Sequence, residues 1–117
     1  MSAETRSVSA VRATDHARTR FRDRSSHPSD SVLAAWRDGR QIHIPDEAPV
    51  PSADEYRYDS ASDTVVCRIG PRLTTAYGLL PAHLTNIYGV AVAAAVDAQF
   101  GTSYCSRIDS ENLEKLR

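Results

Sequence analysis

The chain has 117 residues, and its 14 basic and 15 acidic side chains leave a formal net charge of −1. This length accommodates one domain and excludes a second, while the hydrophobic residues, 41% of the chain, suffice for a small core. The longest apolar run, Ile87 to Val96, is half of the ~20 residues that a membrane-spanning helix requires, and no apolar signal segment begins the chain. We therefore expect a soluble, cytoplasmic protein with no membrane partner.

The first 28 residues differ in composition from the rest of the chain. Residues 1–27 contain six arginines against three acidic residues, and only three of their side chains are apolar and sizeable. Because such a segment buries too little surface to offset its ordering entropy, residues 1–28 are predicted to form a disordered arm. Alternate arginines from 18 to 24 would line one side of an extended arm, which suits contacts with nucleic-acid phosphates; a solvated tail is the alternative.

A short helix is predicted at the start of the folded domain. Residues 29–31 supply N-cap candidates, and Gly39 is placed to end the helix. Val32, Leu33 and Trp36 give this helix an apolar face that would pack on a sheet. Trp36, the only tryptophan, is therefore predicted to anchor the core.

Four strands are predicted after this helix. Alternation of polar and apolar residues predicts the first at 41–44, and three prolines make residues 45–53 an irregular connection. Tight turns at residues 60–63 and at 70–71 separate the others, which span Tyr56–Asp59, Thr64–Ile69 and Arg72–Tyr77. The first of these turns places Tyr58 opposite Val65, and Glu55 opposite Arg68 as a cross-strand ion pair.

The pairing of the last two strands has two registers, and the sequence leaves both open. If the loop at Gly70-Pro71 has two residues, Thr75 and Tyr77 lie on the same face of the sheet as Arg57. One extra bulged residue moves Thr75 and Tyr77 to the opposite face, which carries Tyr58. Hydrophobic patterning favours the bulge, whereas the first register gathers a candidate active surface.

A long alanine-rich helix is predicted from Pro81 to about Gln99, with Gly101 just past its end. Its apolar face, predicted to be buried against the sheet, comprises Leu84, Ile87, Ala91, Ala94 and Ala98, and is widened by Tyr88, Val92 and Ala95. Self-association through the same small residues is the alternative. Residues 102–117 form a C-terminal tail, with a last helical turn at 111–116.

Sequence motifs give no support to metal, nucleotide or thiol chemistry. The chain has no dinucleotide-binding glycine loop, no P-loop, no C-x-x-C pair and no H-E-x-x-H, and its four histidines lack ligand spacing. We therefore expect neither a metal nor a cofactor. Cys67 and Cys105 are expected to be reduced thiols, with Cys67 buried and inert in a central strand.

Three short motifs follow one another on the predicted strands: Tyr56-Arg57-Tyr58, Thr64-Val65-Val66 and Leu73-Thr74-Thr75-Ala76-Tyr77. A helix, an aromatic strand with arginine, a valine-rich strand and a strand ending in tyrosine occur in this order in RelE-type toxins and colicin-type nucleases. Residues 30–78 therefore resemble this superfamily of metal-independent ribonucleases. The acidic body of the chain and the long alanine-rich helix depart from the superfamily's pattern.

The resemblance implies that RNA is the partner and that its 2′-hydroxyl attacks the adjacent phosphate. Arg57 matches the superfamily's phosphate-binding arginine, and a guanidinium suits that role because it grips two phosphate oxygens together. Thr75 and Tyr77 match the last strand and would bind phosphate or stack on a base. His43 is added to these candidates independently of the resemblance, because histidine titrates near neutrality and this one takes a polar strand position.

Together these patterns predict a single α+β domain over residues 29–101. It would contain a small antiparallel sheet of about four strands, a short N-terminal helix and one long Ala-rich helix packed on the sheet. The predicted function is that of a small metal-independent RNase or toxin-like protein acting through Arg57, Thr75, Tyr77 and His43. The alternative is a non-catalytic module that binds a protein partner or itself through the Ala-rich helix.

Overall fold

A five-stranded mixed sheet lies at the centre of the protein, whose computed structural model describes residues 11–27 and 31–108. The strands are β1 (Arg12–Ala13), β2 (Arg40–Ile42), β3 (Glu55–Asp59), β4 (Thr64–Ile69) and β5 (Arg72–Gly78). They are ordered β1-β5-β4-β3-β2, with β1 parallel to β5 and the other neighbours antiparallel. The α+β class is confirmed and the four predicted strands pair antiparallel, but the prediction is incomplete because β1 adds a fifth, parallel strand at one edge.

Residues 12–24, assigned from composition to a disordered arm, form β1 and the helix α1 (Asp15–Arg24). The Thr14 hydroxyl caps the helix by accepting the Ala17 N–H at 3.1 Å. Ala17 and Phe21 lie one turn apart and are almost completely buried among core residues of the sheet. The prediction of disorder is wrong for this segment because two apolar side chains at helical spacing suffice when a sheet receives them. Residues 1–10 and 28 of the predicted arm lie outside the described residues.

The helix α2 (Val32–Asp38) begins and ends where the sequence predicts. The Ser31 hydroxyl accepts the Ala34 N–H at 3.0 Å, and Gly39 follows the last helical residue. Trp36 is only 3% exposed and shares a core cluster with Phe21 of α1. Leu33 departs from the predicted apolar face and is 40% exposed. One face of the sheet is thus covered by α1 and α2 together.

The pairing of β4 with β5 combines features of both predicted registers. The loop at Gly70-Pro71 has two residues, because Ile69 is the partner of Arg72, and Gly70 takes a positive φ of 56°. A bulge then shifts the register, so that Cys67 is the partner of Thr75 and Val65 that of Tyr77. Thr75 and Tyr77 therefore lie on the opposite face of the sheet from Arg57, while Leu73, before the bulge, stays on the face of α1 and α2.

The helix α3 (Ile87–Phe100) packs on the other face of the sheet and begins later than predicted. Residues Pro81–His83 form a separate 3₁₀ turn, and the Asn86 side chain caps α3 by accepting the Gly89 N–H at 3.0 Å. The buried residues of α3 are Gly89, Val92, Ala93, Ala95 and Val96. Within the described ranges, no helix combines the length and apolar character needed to cross a bilayer.

The predicted buried face of this helix is wrong in part, since Leu84, Val92 and Ala95 are buried as predicted but other members are not. Ile87 is 49% exposed, and Ala94 and Ala98 are exposed as well. The helix is apolar on all sides, so its pattern does not single out one face. The valines bury more apolar surface than the alanines do, which favours the orientation that places Val92 and Val96 in the core.

Asp97 ties the chain that follows α3 back onto the helix. Its carboxylate accepts the Thr102 hydroxyl at 2.6 Å and the N–H groups of Tyr104 and Cys105 at 2.9 and 3.0 Å. Burial by itself would raise the pKa of Asp97, but these hydrogen bonds lower it overall. The first part of the predicted tail is therefore packed against the domain, while residues 109–117, with the predicted last turn, lie outside the described residues.

Gln99 of α3 closes the outer edge of the sheet beyond β2. Its Oε1 accepts the His43 N–H at 2.8 Å, and its Nε2 donates to the His43 carbonyl at 2.8 Å. One side-chain amide thus makes the two hydrogen bonds that a neighbouring strand would otherwise make. The strand predicted at 41–44 is found one residue earlier and is shorter, because β2 spans Arg40–Ile42.

Candidate active site

Arg57 lies in a cluster that already satisfies its charge. Its Nε donates to Glu55 Oε2 at 2.6 Å and its Nη1 to the Trp36 carbonyl at 3.0 Å, while the guanidinium carbon lies 4.1 Å from the centroid of the Trp36 ring. Arg68 Nη2 donates to the other carboxylate oxygen of Glu55 at 3.2 Å, which confirms the predicted cross-strand ion pair. We call Trp36, Glu55, Arg57 and Arg68 the Glu55 cluster. Its contacts join α2, β3 and β4.

The four predicted site residues do not meet at one place. Arg57 lies on the sheet face covered by α1 and α2, whereas Thr75 and Tyr77 lie on the face of α3. His43 follows β2, at the far edge of the sheet from β1. Only Thr75 and Tyr77 remain near each other, and the roles of all four residues in catalysis stay predictions.

Arg24 and His83 meet at the end of β5, against Gly78, with Tyr77 next to them along the strand. A Cβ atom added at Gly78 would lie 2.8 Å from the Cβ atoms of both Arg24 and His83. Tyr77 precedes Gly78 and interacts electrostatically with Arg24. The three side chains come from the end of α1, the end of β5 and the 3₁₀ turn after β5. We call Arg24, Tyr77 and His83 the β5-end cluster.

Arg24 is positioned by an open stretch of sheet edge. Because β1 pairs only with Arg72 and Leu73, no strand of the described residues pairs with the rest of β5 on that side. Arg24 Nη1 donates to the Ala76 carbonyl at 3.0 Å and so occupies part of this edge. Within the described ranges Arg24 forms no ion pair, so its remaining donors are available to an anion.

The protonation states of His83 and Tyr77 follow from burial and from the charge of Arg24. Burial lowers the pKa of His83, and the Arg24 cation lowers it further, so the imidazole is neutral at neutral pH. Burial is also the main cause that raises the pKa of Tyr77 to about 12, which keeps its phenol protonated. The cluster thus presents a proton acceptor, a proton donor and a cation.

The two flanks of α1 differ in charge. On one flank, Arg18 lies 3.8 Å from Asp15, and Arg22 lies 3.9 Å from Asp23. On the other, His16, Arg20 and Arg24 recur every four residues, with Arg20 Nε 3.5 Å from His16 Nε2 and no acidic ion-pair partner in the part of the chain described. The predicted extended row of arginines is wrong, because the helix divides these residues between two flanks. The flank without acidic partners is the one that faces β5.

Sequence reasoning missed two members of the β5-end cluster. Arg24 was placed in the arm, although Ala17 and Phe21 at helical spacing signal an ordered helix that ends beside it. His83 was considered only as a metal ligand. The signal that could have found it is the proline-initiated turn just after Tyr77-Gly78, which returns the chain toward the end of the preceding strand.

Cys67 and Cys105 are free thiols, as predicted. Burial raises the pKa of the Cys67 thiol to about 12, which leaves it un-ionised and a poor nucleophile at neutral pH. Cys67 borders the β5-end cluster only through Tyr77, whose pKa it raises.

Comparisons with known proteins bear on this arrangement. No curated protein and no solved structure matches the chain. A family model described as "Putative RelE superfamily toxin domain" matches residues 13–79, from the end of β1 to the residue after β5. The match extends the predicted resemblance to include α1 and hence Arg24, whereas His83 and α3 lie beyond it. Because it covers more than half of the chain, the protein belongs to this family of RelE-superfamily toxin domains.

Proposed function

We propose that this domain is a ribonuclease that cleaves RNA without a metal ion, through attack of a 2′-hydroxyl on the adjacent phosphate. The observation that carries the proposal is the β5-end cluster, in which a neutral histidine and an arginine without an ion-pair partner meet against Gly78, and the protonated Tyr77 beside them interacts electrostatically with that arginine. These are the groups that such a reaction requires. Membership of a toxin-domain family supports the same conclusion.

Each member of the cluster takes one role in the proposed reaction. His83 accepts the proton of the 2′-hydroxyl while its oxygen forms a bond to phosphorus. Arg24 donates to the non-bridging oxygens, where negative charge grows in the transition state. The bond from phosphorus to the 5′-oxygen then breaks, and Tyr77 protonates that oxygen. The products are a 2′,3′-cyclic phosphate and a 5′-hydroxyl, after which Tyr77 regains a proton and His83 releases one to solvent.

The distribution of charge supports binding of RNA at this edge of the sheet. Residues 28–117 carry eight basic and twelve acidic side chains, so most of the domain repels a polyanion. The flank of α1 that carries His16, Arg20 and Arg24 is positive and lies beside the cluster. An RNA strand is therefore attracted to the place where the chemistry is proposed.

The experiment that tests this proposal is RNA cleavage in EDTA by the wild type and by His83→Gln. We expect the wild type to release fragments with 2′,3′-cyclic phosphate ends, and His83→Gln to lower kcat by about 10²–10⁴-fold, the usual contribution of a general base. His27→Gln, at an exposed histidine outside the cluster, is the matched control and keeps the wild-type rate. Thermal unfolding checks that both variants fold.

Two results would overturn the proposal. The first is a folded wild type that leaves a broad panel of purified RNAs and a translating cell extract uncleaved. The second is a His83→Gln variant as active as the wild type, which would remove the proposed base. An RNA with a single 2′-deoxy substitution at the mapped cleavage position should resist cleavage, since it lacks the attacking hydroxyl.

A second candidate function, self-association through α3, is favoured by the exposure of apolar residues on that helix. Ile87, Ala94 and Ala98 are exposed on α3, and the helix presents no charge there. Ala94→Glu should then abolish a dimer that sedimentation equilibrium detects in the wild type. A monomeric wild type at high concentration would exclude this role.

A further inference from the structure

Two exposed arginines stand side by side at the start of β5. Arg12 of β1 is the register partner of Arg72 of β5, and adjacent strands lie about 4.8 Å apart. Within the described ranges, neither side chain forms an ion pair or a hydrogen bond. Like charges directly opposite each other destabilise a sheet. The fold thus holds two cations together with no anion of its own to offset their repulsion.

A cavity of about 240 Å³ lies at this position. Its lining residues are Arg12, Ala13, Thr14 and Arg72, none of them acidic. The Thr14 hydroxyl is already used, since it donates to the Leu73 carbonyl at 2.9 Å and accepts from Ala17. At about 30 Å³ per water molecule, the cavity has room for a phosphate group and several waters. Two guanidinium groups, each with five N–H donors, provide the hydrogen bonds that a phosphate accepts.

The cavity lies on the same strand as the β5-end cluster. Arg72, Thr75 and Tyr77 share one face of β5, because the bulge after Leu73 shifts the alternation by one residue. Five residues separate Arg72 from Tyr77, which corresponds to about 16 Å at a strand rise of ~3.3 Å per residue. Successive phosphates of an extended single strand lie farther apart than the ~3.4 Å axial rise of a stacked strand, so this distance spans a few nucleotides. Thr75, half-buried between them, makes no side-chain hydrogen bond to any other described residue.

We propose that the Arg12–Arg72 cavity binds a backbone phosphate of the RNA, a few nucleotides from the bond that is cleaved. This inference rests on the proposed function and adds to it a subsite that holds the strand without taking part in the chemistry. RNA follows the open edge of β5 from the cavity to Tyr77. Because the subsite is remote from the reacting phosphate, it contributes only to substrates long enough to reach it.

The test is binding of 2′-deoxy oligonucleotides, which cannot undergo attack by a 2′-hydroxyl. Fluorescence anisotropy compares a 12-mer with a 4-mer for the wild type, for Arg12→Gln/Arg72→Gln, and for the control Arg18→Gln/Arg22→Gln on the other flank of α1. For the 12-mer, we expect the first double variant to reduce the slope of log K against log salt by about 0.7–1.4 relative to the control, the effect of losing one or two phosphate contacts. For the 4-mer, we expect the two double variants to have equal slopes.

In this design, failure of the proposed subsite and failure of the proposed ribonuclease activity give different results. Equal 12-mer slopes in the two double variants, both shown to be folded by circular dichroism, would overturn the subsite whatever the cleavage assay gives. An equal reduction of the slope for the 4-mer would show that the subsite is not remote from the cleaved bond and would overturn that part of the proposal. If the binding slopes are as expected but the wild type cleaves no RNA, the phosphate site is supported and the proposed ribonuclease activity is rejected. In an active enzyme, Arg12→Gln/Arg72→Gln should raise KM for long RNA about tenfold and leave kcat unchanged.

Discussion

The Glu55 cluster and the β5-end cluster each place an arginine beside an aromatic side chain, but they use the charge differently. Arg57 shares the Glu55 carboxylate with Arg68, and its guanidinium also bonds the Trp36 carbonyl. Arg24 bonds one carbonyl of β5 and forms no ion pair among the described residues, with only a longer-range electrostatic interaction with Asp23. A cation neutralised by the fold stabilises the fold, whereas a cation left without a counterion is available to a ligand.

This difference favours Arg24 over Arg57, the arginine that sequence motifs indicate, as the proposed ligand of phosphate. Arg57 occupies the strand position that the resemblance associates with phosphate, yet the protein itself supplies a carboxylate at 2.6 Å where a phosphate would bind. The motif identifies the residue type and the strand. The counterion, which decides whether the arginine is available, is contributed by Glu55 two residues earlier.

The largest expected effect comes from replacing Arg24 and Arg57 by glutamine, one at a time. Arg24→Gln should lower the rate of RNA cleavage by about 10²–10³-fold, the usual loss when one donor to a developing oxyanion is removed. The free energy of unfolding should fall by only about 1 kcal/mol, because one hydrogen bond is lost. Arg57→Gln should reverse this pattern and lower the free energy of unfolding by about 2–3 kcal/mol, since Glu55 loses its shortest partner.

Urea unfolding and cleavage per folded molecule, measured on the same preparations, separate the two outcomes. Glu55→Gln is the matched control for the Glu55 cluster, and it should destabilise the protein as Arg57→Gln does. A folded Arg57→Gln variant that loses cleavage while Arg24→Gln retains it would restore the sequence-based site.

A smaller effect is expected from Gly78→Ala, which acts on the β5-end cluster alone. The added methyl group would lie 2.8 Å from the Cβ atoms of Arg24 and His83, so both residues must move. We expect a loss of about 1–3 kcal/mol in unfolding free energy from overpacking, together with reduced cleavage. Gly89→Ala is the control, because the nearest atom to its added methyl is 3.4 Å away. Crystal structures of the two variants would show whether only the first displaces His83; an undisturbed His83 would contradict the packing described.

The smallest effect concerns the proton affinity of His83. Burial and Arg24 lower its pKa, so below pH 6.5 the unfolded chain binds this proton more readily than the folded one, and His83 destabilises the fold as the pH falls. Titration of the His83 ring by NMR should give a pKa below 6.5. Arg24→Gln should move it upward, while Arg22→Gln should leave it unchanged. An identical pKa of His83 in the wild type and in Arg24→Gln would show that Arg24 does not lower it, which would contradict this prediction.

Local patterns predicted the central hairpin because its determinants are local. Turn formers at 60–63 and the alternation on both sides specify the partner of Tyr58, and the ion pair of Glu55 with Arg68 follows from that register. The caps of α2 were predictable for the same reason, since Ser31 and Gly39 act on adjacent residues.

The β5-end cluster was beyond such reasoning because its members meet through tertiary packing. Arg24 reaches β5 only because Phe21 packs α1 onto the sheet, and 52 residues separate Arg24 from Ala76, whose carbonyl it binds. The bulge after Leu73 also decides which face Tyr77 takes, and it depends on long-range contacts of Leu73 with α1 and α2. Composition alone described α1 as a polar arm because only two of its ten residues are buried.

The side-chain amide of Gln99 has a consequence for how other molecules approach the sheet. By occupying both backbone hydrogen-bonding groups of His43, it removes the site at which an extended peptide would begin to add itself as a sixth strand. Replacing Gln99 would expose that backbone and create a template for edge-to-edge aggregation.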